Sequence, residues 1–365
     1  MSATFALVTG GGTGGHVYPA LALADELVRR GHPRDSIRFV GSQRGLEVTA
    51  VPEAGYTIDV LPGRGFDRAR TRQAVTRNLR TVWDTAVALT RAMGIVRRTR
   101  PAVVVGVGGY ASLPTLLAGR LQRIPAVIHE ADAHPGLANR IAVRCGARPA
   151  VSLPDTPLRG AVVTGNPIRP EIVAVERAPV TPAVVAVVGG SLGAQRINFA
   201  AIELYGLWRA RHDVVIHHVT GARGYEECRE LLASARAPGD RLDYRLIRYE
   251  DHMDTLYANA TLTLCRSGGM TAELAAVGMP SVLVPLPGAP GDHQTRNAEV
   301  FAQAGAAVMV PDAELDGPRL ARELDALLGD PTRLREMEQA ARSLGRTDAT
   351  ARFADLVEEV ARGAR

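Results

Sequence analysis

Residues 5–24 read FALVTGGGTGGHVYPALALA, and residues 183–202 read AVVAVVGGSLGAQRINFAAI. In both, an apolar run ends in a cluster of glycines and passes into a stretch with helical spacing. Unbroken apolar runs suit strands buried on both faces, as in a parallel sheet covered by helices. The same signature predicts strands at 5–9, 37–41, 57–61, 102–107, 126–130 and 161–164, and again at 183–188, 214–219, 244–248, 262–265, 281–285 and 307–310. Helical patterns lie between them, as at 17–30 and 194–211. Such alternation makes right-handed βαβ units, and therefore an α/β fold with parallel sheets. Two Rossmann-like units of roughly 160 residues suit the length better than one large sheet. The proline-rich stretch GNPIRPEIVAVERAPVTP at 165–182 is the expected hinge, and 331–365 reads as mostly helical with a break near Gly345–Asp348.

Composition narrows the chemistry. Hydrophobic residues make up 46% of the 365 and aromatics only 4%, so the cores must be aliphatic. All 43 basic residues are arginine, which excludes a phosphate-loop lysine or a Schiff-base lysine. The net charge of +5 points to an anionic partner: nucleic acid, a phosphorylated substrate or a membrane surface. Cys145, Cys228 and Cys265 are too far apart in sequence for a metal-ligand pair or a disulfide framework, which fits a reducing compartment. The N-terminal residues lack a signal-peptide layout, and no run of about 18 apolar residues could span a bilayer.

The loop GGGTGG at Gly10–Gly15 satisfies the dinucleotide pattern, since glycine lets backbone approach a phosphate and a helix N-terminus attracts it. A dinucleotide fold also wants an acidic residue at the end of its second strand to hold the ribose. Here that strand ends in FVGSQ at 39–43, which argues against an NAD oxidoreductase. His16 follows the loop at the start of the helix, placed either to take a proton from an attacking hydroxyl or merely to bond the loop. A second glycine turn, Gly106–Ser112, follows the strand AVVVGV, and the strand 126–130 ends in His129-Glu130. In the second half Gly189–Gly193 precedes a helix, with Ser191 placed to donate to a phosphate. Arg266–Glu273 is another glycine turn entering a helix. Its N–H groups suit a diphosphate, and Glu273 suits ribose hydroxyls or simply favourable charge at a helix start. Asp292–Asn297 offers amides and hydroxyls for a sugar. Residues 66–100 carry nine Arg against two Asp. Within them Val75, Leu79, Val82, Trp83, Ala86 and Met93 form an apolar stripe, suited to an anionic bilayer or to packing on the protein's own sheet.

Taken in order, GGTGGHVYPALA (11–22), GGYAS (108–112), HEADAHPGLANR (129–140), GNPIR (165–169), GGSLGAQRIN (189–198), CRSGGMTAELAAVGMP (265–280) and DHQTRNA (292–298) resemble the MurG family over nearly the whole chain. These are N-acetylglucosaminyltransferases of peptidoglycan synthesis, and hence of cell shape and division. The resemblance implies the GT-B architecture, two Rossmann-like domains whose sheets face an interdomain cleft. The last helix crosses back, so that 1–164 with 346–365 forms the acceptor domain and 183–345 the donor domain. It implies transfer from UDP-N-acetylglucosamine, with inversion, to the 4-hydroxyl of undecaprenyl-diphosphate-linked muramyl-pentapeptide. The expected setting is the cytoplasmic face of an anionic membrane, with no metal, cofactor or nucleic acid. By resemblance, Arg169, Ser191, Glu250, Met270, Thr271, Glu273, Gln294 and Asn297 serve the donor. Thr13, Gly14, Gly15, Gly109, Tyr110, His129 and Asp132 serve the acceptor, and His16 and Glu130 are the candidate bases. Three departures stand out: Asp132 where the family commonly has Asn, Leu192 for its usual Gln, and a turn after Arg266 one residue shorter than usual. The alternatives are a same-fold transferase for another acceptor and a UDP-N-acetylglucosamine 2-epimerase.

Overall fold

The computed structural model describes residues 4–43, 45–62, 72–190 and 193–363; for 72–85 and 290 it describes the backbone course alone. The chain divides into two compact units, Met1–Arg169 with Asp348–Arg365, and Pro170–Thr347.

The first unit runs β1 (Ala6–Gly10), α1 (Gly14–Arg29), β2 (Ile37–Ser42), α2 (Glu47–Glu53), β3 (Thr57–Leu61), α3 (Arg72–Thr99), β4 (Val103–Gly108), α4 (Ser112–Leu121), β5 (Ala126–Glu130), α5 (Leu137–Arg144), β6 (Arg148–Val151) and β7 (Val162–Val163). The seven strands lie in the order β3-β2-β1-β4-β5-β6-β7, all parallel. All five residues of β1 are buried, as its unbroken apolar sequence requires. The sequence reading misses β6 and starts the first helix too late, since Gly14 and Gly15 already belong to α1.

The second unit runs α6 (Pro170–Val173), β8 (Ala183–Val188), α7 (Gln195–Trp208), β9 (Val214–Val219), α8 (Tyr225–Ala235), β10 (Asp243–Ile247), α9 (Met253–Asn259), β11 (Leu262–Cys265), α10 (Met270–Val277), β12 (Ser281–Leu283), α11 (His293–Gln303), β13 (Ala307–Met309), α12 (Gly317–Leu328) and α13 (Pro331–Leu344). Its strands, again all parallel, lie in the order β10-β9-β8-β11-β12-β13. The final helix, α14 (Ala349–Arg362), belongs to the first unit. Its Phe353, Ala354, Leu356, Val357 and Ala361 share one core with Val17, Leu23 and Leu27 of α1 and with the strands beneath. Arg30, just past α1, clasps Asp355 and Glu358 of the same helix at 2.6 and 3.1 Å.

Helix α3 packs Ala88, Ala92, Ile95 and Val96 into the first unit. That is not the stripe expected from sequence. Ala86 and Met93 point outward, while the side chains of Val75, Leu79, Val82 and Trp83 lie outside the described residues.

Candidate active site

In each sheet the strand order reverses beside the first strand, between β1 and β4 and between β8 and β11. Connections there leave in opposite directions and open a crevice at the carboxyl ends of the strands, where α/β folds bind ligands. The glycine-rich loops that stand out in the sequence are the ones at these two switch points.

In the first unit the loops after β1 and β4 touch. A Cβ at Gly108 would fall 2.6 Å from His16 Nδ1, and one at Gly109 would fall 2.4 Å from the carbonyl oxygen of Gly11. Gly109 also has φ +86°, so this close approach admits no side chain. His16 thus sits in the first turn of α1, its imidazole against β4, while Gly12, Thr13 and Gly15 face solvent. Gly14 packs near Tyr18, since its Cβ would lie 3.0 Å from that ring. Tyr110, half-buried, follows the second loop.

The loop is braced by a residue absent from the motif. Glu47, at the start of α2, is 0% exposed. Its Oε2 accepts from Gly12 N at 2.7 Å, and its Oε1 from Ser42 N at 2.8 Å and Ser42 Oγ at 2.7 Å. The acid that seemed missing at the end of β2 is therefore present five residues later, with both oxygens committed to backbone.

Glu130 is 5% exposed and accepts from Asp132 N at 3.1 Å, Gly136 N at 2.9 Å and Asn139 Nδ2 at 2.9 Å. Burial pushes its carboxyl up, against the pull of those hydrogen bonds. Three donors on one carboxylate are the arrangement of a loop anchor, here for residues 131–136. Asp132 is half-buried in that loop. His129, expected at the acceptor site, is instead 1% exposed. Its Nε2 lies 2.9 Å from the carbonyl oxygen of Gly165 and its ring 5.1 Å from that of Phe353. Burial holds it down to about 4, so at neutral pH it is an uncharged donor that ties the 165–169 segment to β5. Arg169, assigned by resemblance to the donor, belongs to the first unit. Its guanidinium stacks 4.4 Å over the ring of Tyr18 on α1.

In the second unit Gly190 and Gly193 pack backbone to backbone on the turn after β9, since a Cβ at Gly221 would fall 2.3 Å from Gly193 N and 2.5 Å from the Gly190 carbonyl oxygen. Ser191 itself lies outside the described residues. Beneath the loop, Asn198 Nδ2 donates to Thr220 O at 3.0 Å, and its Oδ1 lies 3.1 Å from His218 Nε2. His218 Nδ1 lies 2.8 Å from Tyr244 Oη. Burial holds His218 down to about 3, so it bridges as a neutral ring. His218 and Tyr244 carry no motif signal, because each stands inside a strand, VVIHHV and DYRLI, away from any glycine turn.

Across the switch point, α10 begins at Met270 with Gly268 and Gly269 half-buried before it. Thr271 Oγ1 donates to Gly268 O at 2.9 Å, and Glu273 Oε2 accepts from Tyr257 Oη at 2.9 Å. The turn is stitched to α11, with Asn297 Nδ2 donating to Ser267 O at 2.9 Å and Ser267 Oγ to Gln294 O at 2.7 Å. Gln294 Oε1 accepts from Leu286 N at 2.9 Å. Arg266 spans the neighbouring strand end, 2.6 Å from Asp312 Oδ1. Glu250 stands beyond β10, its Oε2 3.2 Å from His217 Nε2. Met270, Thr271, Glu273, Gln294 and Asn297 thus gather at the strand ends of β11 and β12, with Glu250 on the connection after β10, at the far side of β8 and β9. Among the described residues no cluster of three His, Cys, Asp or Glu is set to hold a metal ion.

Two Rossmann-ordered sheets, each with a glycine-rich switch point, are the architecture of two-domain glycosyltransferases, and the matching families identify the chain as one. Residues 6–150 match the glycosyltransferase family 28 N-terminal domain, and 184–360 its C-terminal domain. A protein of Desulforudis audaxviator named UDP-N-acetylglucosamine--N-acetylmuramyl-(pentapeptide) pyrophosphoryl-undecaprenol N-acetylglucosamine transferase is 39% identical over 97% of this chain and 98% of its own. The crystal structure of Acinetobacter baumannii MurG superposes with a TM-score of 0.72 at 27% identity, covering 98% of this chain and 99% of that one. This chain belongs to the MurG family. A UDP-GlcNAc 2-epimerase from Neisseria meningitidis bound to UDP-GlcNAc shares the fold alone, with a TM-score of 0.65 at 13% identity over 97% of this chain and 100% of that one.

Proposed function

We propose that this enzyme transfers N-acetylglucosamine from UDP-N-acetylglucosamine to the 4-hydroxyl of undecaprenyl-diphosphate-linked muramyl-pentapeptide, inverting the anomeric centre. The observation that carries the reading is the pairing of loops at the two switch points. The first unit offers exposed backbone at Gly12, Thr13 and Gly15 beside His16, suited to a diphosphate next to a proton acceptor. The second offers the N-terminus of α10 with Glu273 one turn in, suited to a nucleoside diphosphate and its ribose. The acceptor hydroxyl attacks the anomeric carbon, its proton passes to His16, and the carbon–oxygen bond to UDP breaks. Ser191, Thr271 and the α10 N–H groups meet the leaving diphosphate; Glu250, Met270, Gln294 and Asn297 shape the donor site. Gly109, Tyr110 and Asp132 border the acceptor.

The lipid-linked acceptor requires a membrane surface, and the first unit carries one suited to it. Met93 and Leu121 are 39% and 63% exposed, joined through Gln122 Nε2 to the Met93 carbonyl oxygen at 2.9 Å. Arg97, one turn on from Met93, and Arg120, next to Leu121, stand exposed beside them. Apolar side chains rimmed by arginine suit the cytoplasmic face of an anionic bilayer. No described helix is long and apolar enough to cross one.

The test is UDP release with a short-chain analogue of the lipid-linked muramyl-pentapeptide. Acceptor-dependent release is expected. Isomerised sugar from UDP-N-acetylglucosamine alone would replace the reading with an epimerase.

A further inference from the structure

Glu47 lies outside every glycine motif, yet three glycines are kept small for it. A Cβ at Gly11, Gly41 or Gly45 would fall 2.2, 2.5 or 1.8 Å from its side chain. The carboxylate fills the space between the ends of β1 and β2, where a dinucleotide fold would admit a ribose. It takes the Gly12 N–H that a nucleotide phosphate would otherwise claim. A fully buried carboxylate is tolerated because three donors surround it. It thereby fixes the loop to β2 and leaves the outer face at Thr13 and Gly15 exposed.

We propose that Glu47 is a positioning residue for the transfer reaction, a built-in anion that sets the Gly10–Gly15 loop for the acceptor diphosphate and keeps nucleotides out of the first unit. This rests on the reading that the loop receives the acceptor. The chemistry asks for a carboxylate and not merely a side chain of that size. A glutamine has one acceptor oxygen and must turn an N–H toward either Gly12 N or Ser42 N, which are themselves donors.

The experiment measures steady-state constants for both substrates on purified full-length Glu47→Gln, Glu47→Ala, Ser42→Ala and Thr13→Ala proteins, with melting temperature alongside. Glu47→Gln should raise the acceptor KM about 10- to 100-fold, the loss expected for hydrogen bonds to a charged group. It should be as damaging as Glu47→Ala and should leave the donor KM within about twofold, since the donor reading lies in the other unit. A space-filling role would instead be rescued by the isosteric Gln, and that rescue overturns the proposal, as does an equal loss in both KM values. If Thr13→Ala raises the acceptor KM and Glu47→Gln does not, the acceptor reading stands and the positioning role falls. If neither changes it, the acceptor reading fails and the proposal with it. Should both Glu47 variants fail to fold, Ser42→Ala decides: a smaller rise in acceptor KM supports the proposal, and an unchanged KM overturns it.

Discussion

His16 and Glu130 are the two candidate bases, and their surroundings differ. His16 stands in the first turn of α1 against Gly108, on a loop whose neighbours face solvent. Glu130 already receives three hydrogen bonds, and taking a proton would break part of that set. His16→Ala should therefore lower kcat about 10²- to 10⁴-fold, the usual share of general-base catalysis. It should also flatten the acid limb of the pH–rate profile and leave donor binding unchanged. Glu130→Gln should be milder. An intact acid limb in His16→Ala would move the role to Glu130. His129 makes a separate prediction. Its ordinary value of 6.5 falls to about 4 in the fold, so the unfolded chain takes up the proton first. The resulting stability is present above 6.5, declines as pH falls toward 4, and levels off below, a change of about 3 kcal/mol. His129→Gln, which can still donate to Gly165 O, should show a shallower fall in melting temperature from pH 7 to 5. Sequence marked all three residues because each ends a strand or opens a helix. It gave no hint that His129 faces inward, because direction at a strand end depends on which helix covers it, here α14. Glu47 escaped notice because its partners are backbone groups of another strand and loop.

At the scale of elements, the loops after β1 and β4 form one structure. Gly109→Ala would meet the Gly11 carbonyl at 2.4 Å with φ at +86°, so one of the two loops must move. A rise in acceptor KM is expected, with the donor KM unchanged; steady-state kinetics against each substrate checks it. Strands built from continuous Val, Leu and Ile runs were legible to within a residue or two. β6 was not: RPAV places a charge and a proline in four residues, and its pairing is dictated by β5 beside it. The start of α1 was hidden for a related reason. Gly14 and Gly15 are poor helix formers, so nothing in their own propensity marks them as the first turn of α1. In α3 the apolar residues outnumber those the sheet can cover, so periodicity alone could not say that Ala88, Ala92, Ile95 and Val96 form the inner face.

At the scale of the whole molecule, the proposed reading gives each unit its own substrate, and this separates the expected defects. Glu273, one turn into α10, accepts from Tyr257 and stands where the ribose is proposed. Glu273→Ala should weaken donor binding about ten- to a hundred-fold, measured by titration with UDP, while acceptor constants stay near those of the parent. Unchanged UDP affinity would remove Glu273 from the site. In the proposed reaction the leaving diphosphate meets helix N-termini and hydroxyls, so turnover should persist in EDTA; complete loss restored by magnesium would overturn that account.

Helix α14 also bears on how the protein is made. The side chains that close the core over α1, from Phe353 to Ala361, are translated only after all of Pro170–Thr347. During synthesis the second unit can therefore be finished while the first, begun earlier, still waits with an apolar face uncovered. A premature stop codon just after Thr347 would spare the unit beside it and cripple the distant one encoded at the opposite end of the message.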